Sequence, residues 1–258
     1  MAAERDWKQV LLVGNSHAEV VAWTHAELGK ACPFFLQSIL LNEPRYNLWG
    51  DWEGDEFIVK SIVKSDLQRA IRGGEIDHVT MMIGGASHFI LGAVNSPRLW
   101  DFVLPGEPDL PITAGAEIVP YDLVRKGFHR EELEIQKLLL LAKQMTSSVS
   151  CMLPPPPVAD PELIVKNMPD DLVESAERYG VPEPIFRYKL WQVYTSMVCD
   201  ICAEAGILLL PPPPESLDED GFLRLEFSED SLHGNEFYGS AVIEQLASLI
   251  DAREPQMH

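Results

Sequence analysis

The chain has 258 residues and a formal net charge of −20, with 40 acidic and 20 basic side chains. A surface this acidic repels nucleic acid and anionic membranes, so the composition argues against both as partners. A neutral or cationic small molecule is easier to accommodate, although acidity can also serve solubility alone.

The length fits one domain, residues 1–258, with a sizeable core. No apolar segment reaches the roughly eighteen residues that a membrane span needs. The opening stretch, Met1 to Lys8, lacks the basic head and apolar run of a signal peptide, so we expect a cytoplasmic protein. Cys199 and Cys202 lie in one predicted helix with no second pair at metal-site spacing. The cysteines therefore predict buried structural thiols, with no metal, cofactor or disulfide.

Short apolar runs alternate along the chain with stretches of helical periodicity. The apolar runs predict strands at Gln9 to Val13, Phe34 to Leu40, His78 to Ile83, Ser148 to Leu153 and Ile207 to Leu210. The periodic stretches predict helices at Glu19 to Lys30, Glu56 to Arg72, Arg130 to Met145, Pro184 to Ala205 and Gly239 to Asp251. This alternation indicates an α/β fold, a flavodoxin-like three-layer sandwich around a central, mainly parallel five-stranded sheet.

Two long connections, at about 89–125 and 154–183, are predicted to be loops at the carboxyl edge of the sheet. Ligands bind at this edge in open parallel sheets. Proline runs at Pro154 to Pro157 and Pro211 to Pro214 follow the fourth and fifth strands. Three interpretations of these runs stay open: they end the strands, they form the wall of a cleft, or they are ligands for a domain that recognises proline-rich segments.

A serine and an Asp-x-x-His pair lie in positions that suit a hydrolytic triad. Ser16 follows the first predicted strand in Gly14-Asn15-Ser16-His17, and Asp230 stands three residues before His233. A serine needs an imidazole to take its proton and a carboxylate to orient that imidazole. Each motif also has a simpler interpretation, because Asn15 or Ser16 can be a helix N-cap and Asp230 can cap a later helix.

Together these motifs resemble those of the SGNH, or GDSL-type, hydrolases. In that family the nucleophile lies in a Gly-Asp-Ser or Gly-Asn-Ser turn after the first strand, and a final Asp-x-x-His block supplies the acid and the base. The stretch Met81 to His88 resembles the family's third block, Gly-x-Asn after the third strand. The three matching pieces occur in the family's order and span Gly14 to His233.

The third block departs from the family at one position. Ala86 stands where the family has the asparagine that donates its side-chain amide to the oxyanion. A methyl group cannot donate, and one missing donor typically costs about a hundred- to a thousandfold in turnover. Three explanations are open: a natural variant with a rearranged oxyanion hole, a protein that binds without cleaving, and a deliberate substitution that traps substrate. An otherwise complete triad favours residual or rearranged catalysis.

The family's second block contributes a glycine whose N–H completes the oxyanion hole. Gly50 and Gly54 follow the second predicted strand, where this block belongs, although either can simply permit a turn. Ser87 and His88 are candidates to replace the missing donor. The predicted oxyanion or substrate-binding set is therefore Gly50, Gly54, Gly85, Ala86, Ser87 and His88.

The resemblance implies a serine-dependent hydrolase of carboxylic esters that forms a covalent acyl-enzyme. Ser16 is the expected nucleophile, His233 the base and Asp230 the residue that orients the base. Two alternatives stay open. One is an acyltransferase in which a second alcohol replaces water, and the other is a catalytically impaired binding protein on the same fold.

Overall fold

The computed structural model describes residues 7–46, 48–73 and 76–252. Its strands are β1 (Gln9–Gly14), β2 (Phe35–Leu40), β3 (Gly50–Glu53), β4 (Glu56–Val59), β5 (His78–Met82), β6 (Trp100–Asp101), β7 (Glu117–Ile118), β8 (Val149–Met152) and β9 (Leu208–Leu210). Its helices are α1 (Ser16–Leu28), α2 (Ser61–Gly73), α3 (Ala86–Gly92), α4 (Tyr121–Gly127), α5 (His129–Met145), α6 (Pro161–Lys166), α7 (Asp170–Tyr179), α8 (Pro184–Ala205) and α9 (Glu236–Ala252).

Five strands form a parallel sheet in the order β2-β1-β5-β8-β9. Strand β1 lies inside it, and its last residue, Gly14, pairs with Leu40 on one side and Met82 on the other. The five predicted strands are confirmed, each with ends within one residue of the prediction. The expected three-layer α/β sandwich around a parallel sheet is likewise confirmed.

The sheet separates two apolar layers, because successive side chains of a strand point to opposite faces. Along β1, Leu11 and Val13 pack into the layer formed with α2, α5 and α8, whereas Val10 and Leu12 pack into the layer formed with α1, α6 and α9. All four are fully buried or nearly so. Burial on both faces explains why the strand reads as a continuous apolar run rather than an alternating one.

A buried ion pair fastens the connection between α3 and α4 to α8. Lys189 Nζ lies 2.5 Å from Asp101 Oδ1, and both side chains are fully buried. The ammonium also donates to the carbonyl oxygens of Phe102 and Pro111, at 3.2 and 3.1 Å. Asp101 Oδ2 accepts the Thr113 N–H at 2.7 Å. Each charge therefore has several polar partners, as a buried pair requires.

The predicted helix from Glu56 to Arg72 is wrong in its first part. Residues Glu56–Val59 form strand β4, which pairs antiparallel with β3, and the helix begins at Ser61. Phe57 and Val59 are buried while Glu56 is exposed, which is the period-two pattern of a strand at the edge of a layer. The other helices match well, and α8 has the predicted bounds.

The two connections predicted as loops carry regular structure. Residues 89–125 include most of α3, the pair β6 and β7, and the first part of α4, while 154–183 include α6 and α7. These helices have six to ten residues, too few for helical periodicity to stand out in a sequence window. Arg187 holds the second connection, since its guanidinium donates to the carbonyl oxygens of Val158 and Ala159 at 2.9 Å each.

One cysteine differs from expectation. Cys32, Cys151 and Cys202 are buried, but Cys199 is exposed on the solvent side of α8. In the described ranges, no helix is long and apolar enough to cross a bilayer. Residues 1–6, on which the expectation of no signal peptide partly rests, lie outside the described residues.

Candidate active site

Ser16 lies just after Gly14, where the backbone at the end of β1 packs closely against its neighbours. Any Cβ on Gly14 would lie 2.2 Å from the Met82 carbonyl oxygen and 2.6 Å from Ala18 Cβ, so only glycine fits there. The chain then turns at Asn15, whose side chain makes no capping hydrogen bond, and α1 begins at Ser16 itself. The serine thus stands at the carboxyl end of an inner strand and at the amino end of a helix.

Asp230 and His233 are held in a tight loop before α9. Asp230 Oδ1 accepts the N–H groups of Leu232 and His233, both at 2.7 Å. The Glu229 N–H donates to the His233 carbonyl oxygen at 2.9 Å, which closes the loop. After the loop, Asn235 Oδ1 accepts the Phe237 N–H at 3.0 Å, so it is Asn235 rather than Asp230 that caps the helix.

The structure brings the three residues of the predicted triad together. His233 Nε2 lies 2.9 Å from Ser16 Oγ, and His233 Nδ1 lies 2.8 Å from Asp230 Oδ2. Partial burial raises the pKa of Asp230, but hydrogen bonds from the His233 side chain and from the Leu232 and His233 amides outweigh it and lower the pKa to about 2. Asp230 is therefore ionised at neutral pH, and its carboxylate can accept the Nδ1 proton of His233.

Two further histidines lie behind the triad. His17 is 2% exposed and His88 is 3% exposed. Burial lowers the pKa of both, to about 3 for His88, and the pKa of His17 is lowered further by His233 and His88. The ring centroid of His17 lies 5.0 Å from that of His233. A neutral His17 ring in this contact packs against the His233 imidazole without repelling that imidazole when it is protonated.

The segment that resembles the third block wraps around a buried carboxylate. Gly84 and Gly85 have φ of 80° and 94°, and the Gly85 N–H donates to Glu131 Oε1 at 2.8 Å. Burial raises the pKa of Glu131, and hydrogen bonds from residues 85–87 oppose that rise. A Cβ on Gly85 would lie 3.0 Å from His17 Nε2, so the segment also packs against the residue that follows Ser16.

The predicted oxyanion residues differ in surroundings. Ala86 is the first residue of α3 and is exposed, whereas His88 is buried against the Tyr194 ring, with centroids 5.7 Å apart. Gly50 lies in β3 under the Phe57 ring, where a Cβ would be 2.0 Å from Cζ. Gly54, with φ of 63°, makes the exposed turn between β3 and β4. Gly50 and Gly54 remain predicted oxyanion residues.

A groove of about 940 Å³ opens beside Ser16. We call it the α1–α9 groove, since it runs between α1 and the loop and first turns of α9. Within the part of the chain that the structure describes, its lining residues are Ser16, Glu19, Val20, Trp23, Thr24, Glu27, Leu28, Glu229, Asp230, His233, Gly234, Asn235, Glu236 and Ser240. The groove thus contains the three residues of the predicted triad and four further acidic side chains.

No protein-family model matches the sequence, and neither does any curated protein. Among solved structures, the chain is similar to a GDSL-like lipase from Bacteroides thetaiotaomicron, at 12% identity and a TM-score of 0.46, over 95% of this chain and 88% of that one. It is also similar to the periplasmic domain of a lipopolysaccharide acetyltransferase from Salmonella ser. Paratyphi A, at 11% identity and a TM-score of 0.46, over 95% and 84%. The resemblance to the SGNH hydrolases rests on the motifs and on the Ser16, His233 and Asp230 geometry.

The sequence interpretation missed Glu131 and most of the groove. Glu131 looks like any solvent-facing acid in the first turn of a helix, and only the packing of α5 under residues 84–87 buries it. The groove residues carried a weak signal, because Ser16, Val20, Thr24 and Leu28 recur every four residues and so share one side of α1.

Proposed function

We propose that this protein is a serine-dependent hydrolase of carboxylic esters that works through a covalent acyl-enzyme. The observation that carries the proposal is the continuous hydrogen-bonded line from Ser16 Oγ through His233 to Asp230, with separations of 2.9 and 2.8 Å. This geometry suits a serine activated by a base that a carboxylate orients. The three side chains also line an open groove that a substrate can enter.

In the first half of the reaction, Ser16 Oγ attacks the ester carbonyl carbon. His233 Nε2 takes the hydroxyl proton as the new C–O bond forms, and ionised Asp230 stabilises the imidazolium through Nδ1–H. The tetrahedral intermediate then collapses, the ester C–O bond breaks, and the leaving alkoxide takes the proton from Nε2. The products of this half are an alcohol and an acyl group on Ser16.

The oxyanion of the intermediate needs donors aimed at it. The Ser16 N–H is the first donor that we assign, because the N–H groups in the first turn of a helix have no intrahelical acceptor. The 13-residue helix α1 adds the positive end of its dipole at this point. Gly50, Gly54, Ser87 and His88 stay candidates for the second donor, which Ala86 does not provide.

The second half repeats the chemistry with water. His233 Nε2 takes a proton from water, the resulting hydroxide attacks the acyl carbon, and Ser16 leaves with the proton returned from Nε2. The carboxylic acid is released. If an alcohol occupies the place of water, the same steps give a new ester, so acyl transfer is the closely related alternative.

A second candidate function is binding without efficient cleavage on the same fold. Two observations favour it: Ala86 provides no side-chain donor, and the Gly85 amide donates to Glu131. Under this candidate the groove still binds an ester or its product, but the tetrahedral intermediate is poorly stabilised.

The test is labelling with a fluorophosphonate probe, followed by mass spectrometry of the labelled peptide. We expect one adduct, on Ser16, and none in the Ser16→Ala variant. A matched control is Ser240→Ala, which alters another serine of the groove and should keep the label. Folded protein that takes no label, although circular dichroism shows an intact fold, would contradict the ester hydrolase and favour the binding candidate.

A further inference from the structure

The α1–α9 groove extends well beyond the reacting atoms. Its lining follows α1 from Ser16 to Leu28, a rise of about 18 Å at 1.5 Å per residue. An acetyl or methyl group at Ser16 fills only the first few ångströms of that length. The groove therefore suits an ester with one elongated arm.

Two neighbouring rows of α1 side chains form one wall of the groove. Val20, Thr24 and Leu28 continue from Ser16 at steps of four residues, and Glu19, Trp23 and Glu27 form the adjacent row at the same step. Trp23 lies about 10 Å along the helix axis from Ser16. Its indole is 67% exposed, although tryptophan is usually well covered in monomeric proteins. An indole face with a carboxylate one turn away on each side is suited to a cation.

The polar part of the wall is acidic. Glu19, Glu27, Glu229 and Glu236 line the groove, and no Lys or Arg occurs among its described lining residues. None of the four glutamates forms a salt bridge within the described residues. The Asn42 side-chain amide donates to Glu19 at 2.7 Å, but this amide is neutral and leaves the charge of Glu19 uncompensated. Their summed potential attracts a cation and repels an anion.

A buried polar group lies along the same wall. Thr24 is 5% exposed, and its hydroxyl has no hydrogen-bond partner among the residues that the structure describes. Unpaired buried hydroxyls are rare in folded proteins and call for an explanation. Thr24 Oγ1 faces Gly239 of α9, 2.2 Å from where a Cβ would stand, so this hydroxyl lies where the two helices meet at the wall of the groove.

We propose that the groove holds the elongated, positively charged arm of the substrate, with the cation beside Trp23 and between Glu19 and Glu27, about 10 Å from the ester carbonyl. This inference rests on the proposed function for the reaction at Ser16, and it adds the substrate class. An amphiphilic ester that carries an ammonium group fits the wall, whereas one that ends in a carboxylate meets repulsion. Val20 and Leu28 contact the apolar part of the arm.

The test measures binding and so does not need turnover. Isothermal titration calorimetry on the Ser16→Ala protein compares octyltrimethylammonium, octanol and octanoate, all below their micellar concentrations. We expect octyltrimethylammonium to bind at least tenfold more tightly than octanoate, with octanol between them. Raising the salt concentration should weaken the binding of the ammonium, because exposed charges are screened. Equal binding of the three ligands would overturn the inference.

The variants locate the cation. Glu27→Gln and Glu19→Gln should each weaken octyltrimethylammonium at least threefold, and Trp23→Leu should do the same by removing the indole face. Glu244→Gln is the matched control, since Glu244 is an exposed acid of α9 outside the groove lining. Variants that all bind like Glu244→Gln would contradict the assignment, because the cation would then lie elsewhere.

The two proposals fail separately. If Ser16 takes the fluorophosphonate but octyltrimethylammonium binds no better than octanoate, the hydrolase stands and the cationic arm is wrong. If the ammonium binds with the expected charge preference but Ser16 takes no label, the groove inference stands and the hydrolase is wrong. In the parent protein with Ser16 intact, octyltrimethylammonium should also slow labelling of Ser16, because the ammonium ligand and the probe occupy one groove.

Discussion

The backbone N–H of Gly85 donates to Oε1 of Glu131 at 2.8 Å, across 46 residues of chain. The segment that resembles the third block therefore directs the Gly85 amide to a buried carboxylate of α5. Glu131 is only 7% exposed. Burial raises the pKa of its carboxyl group, and hydrogen bonds from residues 85–87 oppose that rise. The carboxylate is thus a structural support for the loop that packs against His17, next to Ser16.

Replacing Glu131 should loosen this loop. Glu131→Ala leaves the Gly85 amide unpaired, and we expect it to reduce the free energy of unfolding by about 1–3 kcal/mol and to slow labelling of Ser16. Glu131→Gln keeps an acceptor oxygen and should lose less on both counts. Urea denaturation and labelling rates provide the two readouts. An alanine variant as stable as the parent protein would show that the hydrogen bond contributes nothing net.

Restoring the missing amide should raise turnover. Ala86 is exposed as the first residue of α3, so Ala86→Asn adds a donor without disturbing the core. We expect kcat on a soluble ester to increase at least tenfold with little change in KM, because the donor acts on the oxyanion and not on the bound ester. Ala86→Leu controls for size and should show no gain. An unchanged kcat in the asparagine variant would mean that another group already provides the second donor.

The low pKa of Asp230 predicts how stability depends on pH. The pKa of Asp230 is lowered from 3.8 to about 2 on folding, so its contribution to stability is fully present above pH 4 and is lost as the pH falls toward 2. Asp230→Asn lacks this dependence. The difference in unfolding free energy between the two proteins should be constant above pH 4 and shrink below it. A difference that keeps its size down to pH 2 would contradict the assignment.

Substitutions of His17 distinguish a packing role of this side chain from a chemical role. Its Nδ1 is buried without a hydrogen-bond partner in the described residues, and its ring contacts that of His233. His17→Phe keeps a flat ring and removes the unpaired nitrogen, so we expect a Tm at or above that of the parent and a kcat within about threefold. His17→Ala should lose both stability and activity, because it leaves a cavity behind His233. A folded phenylalanine variant that has lost activity would show that the imidazole nitrogens themselves take part.

The buried ion pair between Lys189 and Asp101 should be costly to break. Lys189→Met leaves a buried carboxylate without its cation, and we expect a loss of about 3–5 kcal/mol in unfolding free energy. Lys137→Met is the matched control, since Lys137 pairs with Glu56 at 3.0 Å on the surface and should lose less than about 1 kcal/mol. Similar losses from both variants, measured in urea, would show that burial adds nothing to the pair.

Local pattern was enough to predict the sheet. The inner strands β1, β5 and β8 are almost wholly buried, and the edge strands β2 and β9, although partly exposed, are also short runs rich in apolar residues. Such runs depend on residues that are close in sequence. The same pattern failed at Glu56–Val59, where a short strand continues almost directly into a helix. Ile58 and Ile62 are four residues apart, a spacing that fits both a strand and a helix. It also missed the short helices α6 and α7, which are too brief to show a period.

The sequence by itself determined the residue types and their order: a serine after the first strand, an Asp-x-x-His near the end, and alanine in place of an expected asparagine. Only the tertiary structure decided that His233 lies 2.9 Å from Ser16 across 217 residues, that Glu131 supports the Gly85 loop, and that carboxylates of α1 and α9 line one groove. Local periodicity reflects neighbours three or four residues apart, whereas these contacts depend on how separate helices pack on the sheet.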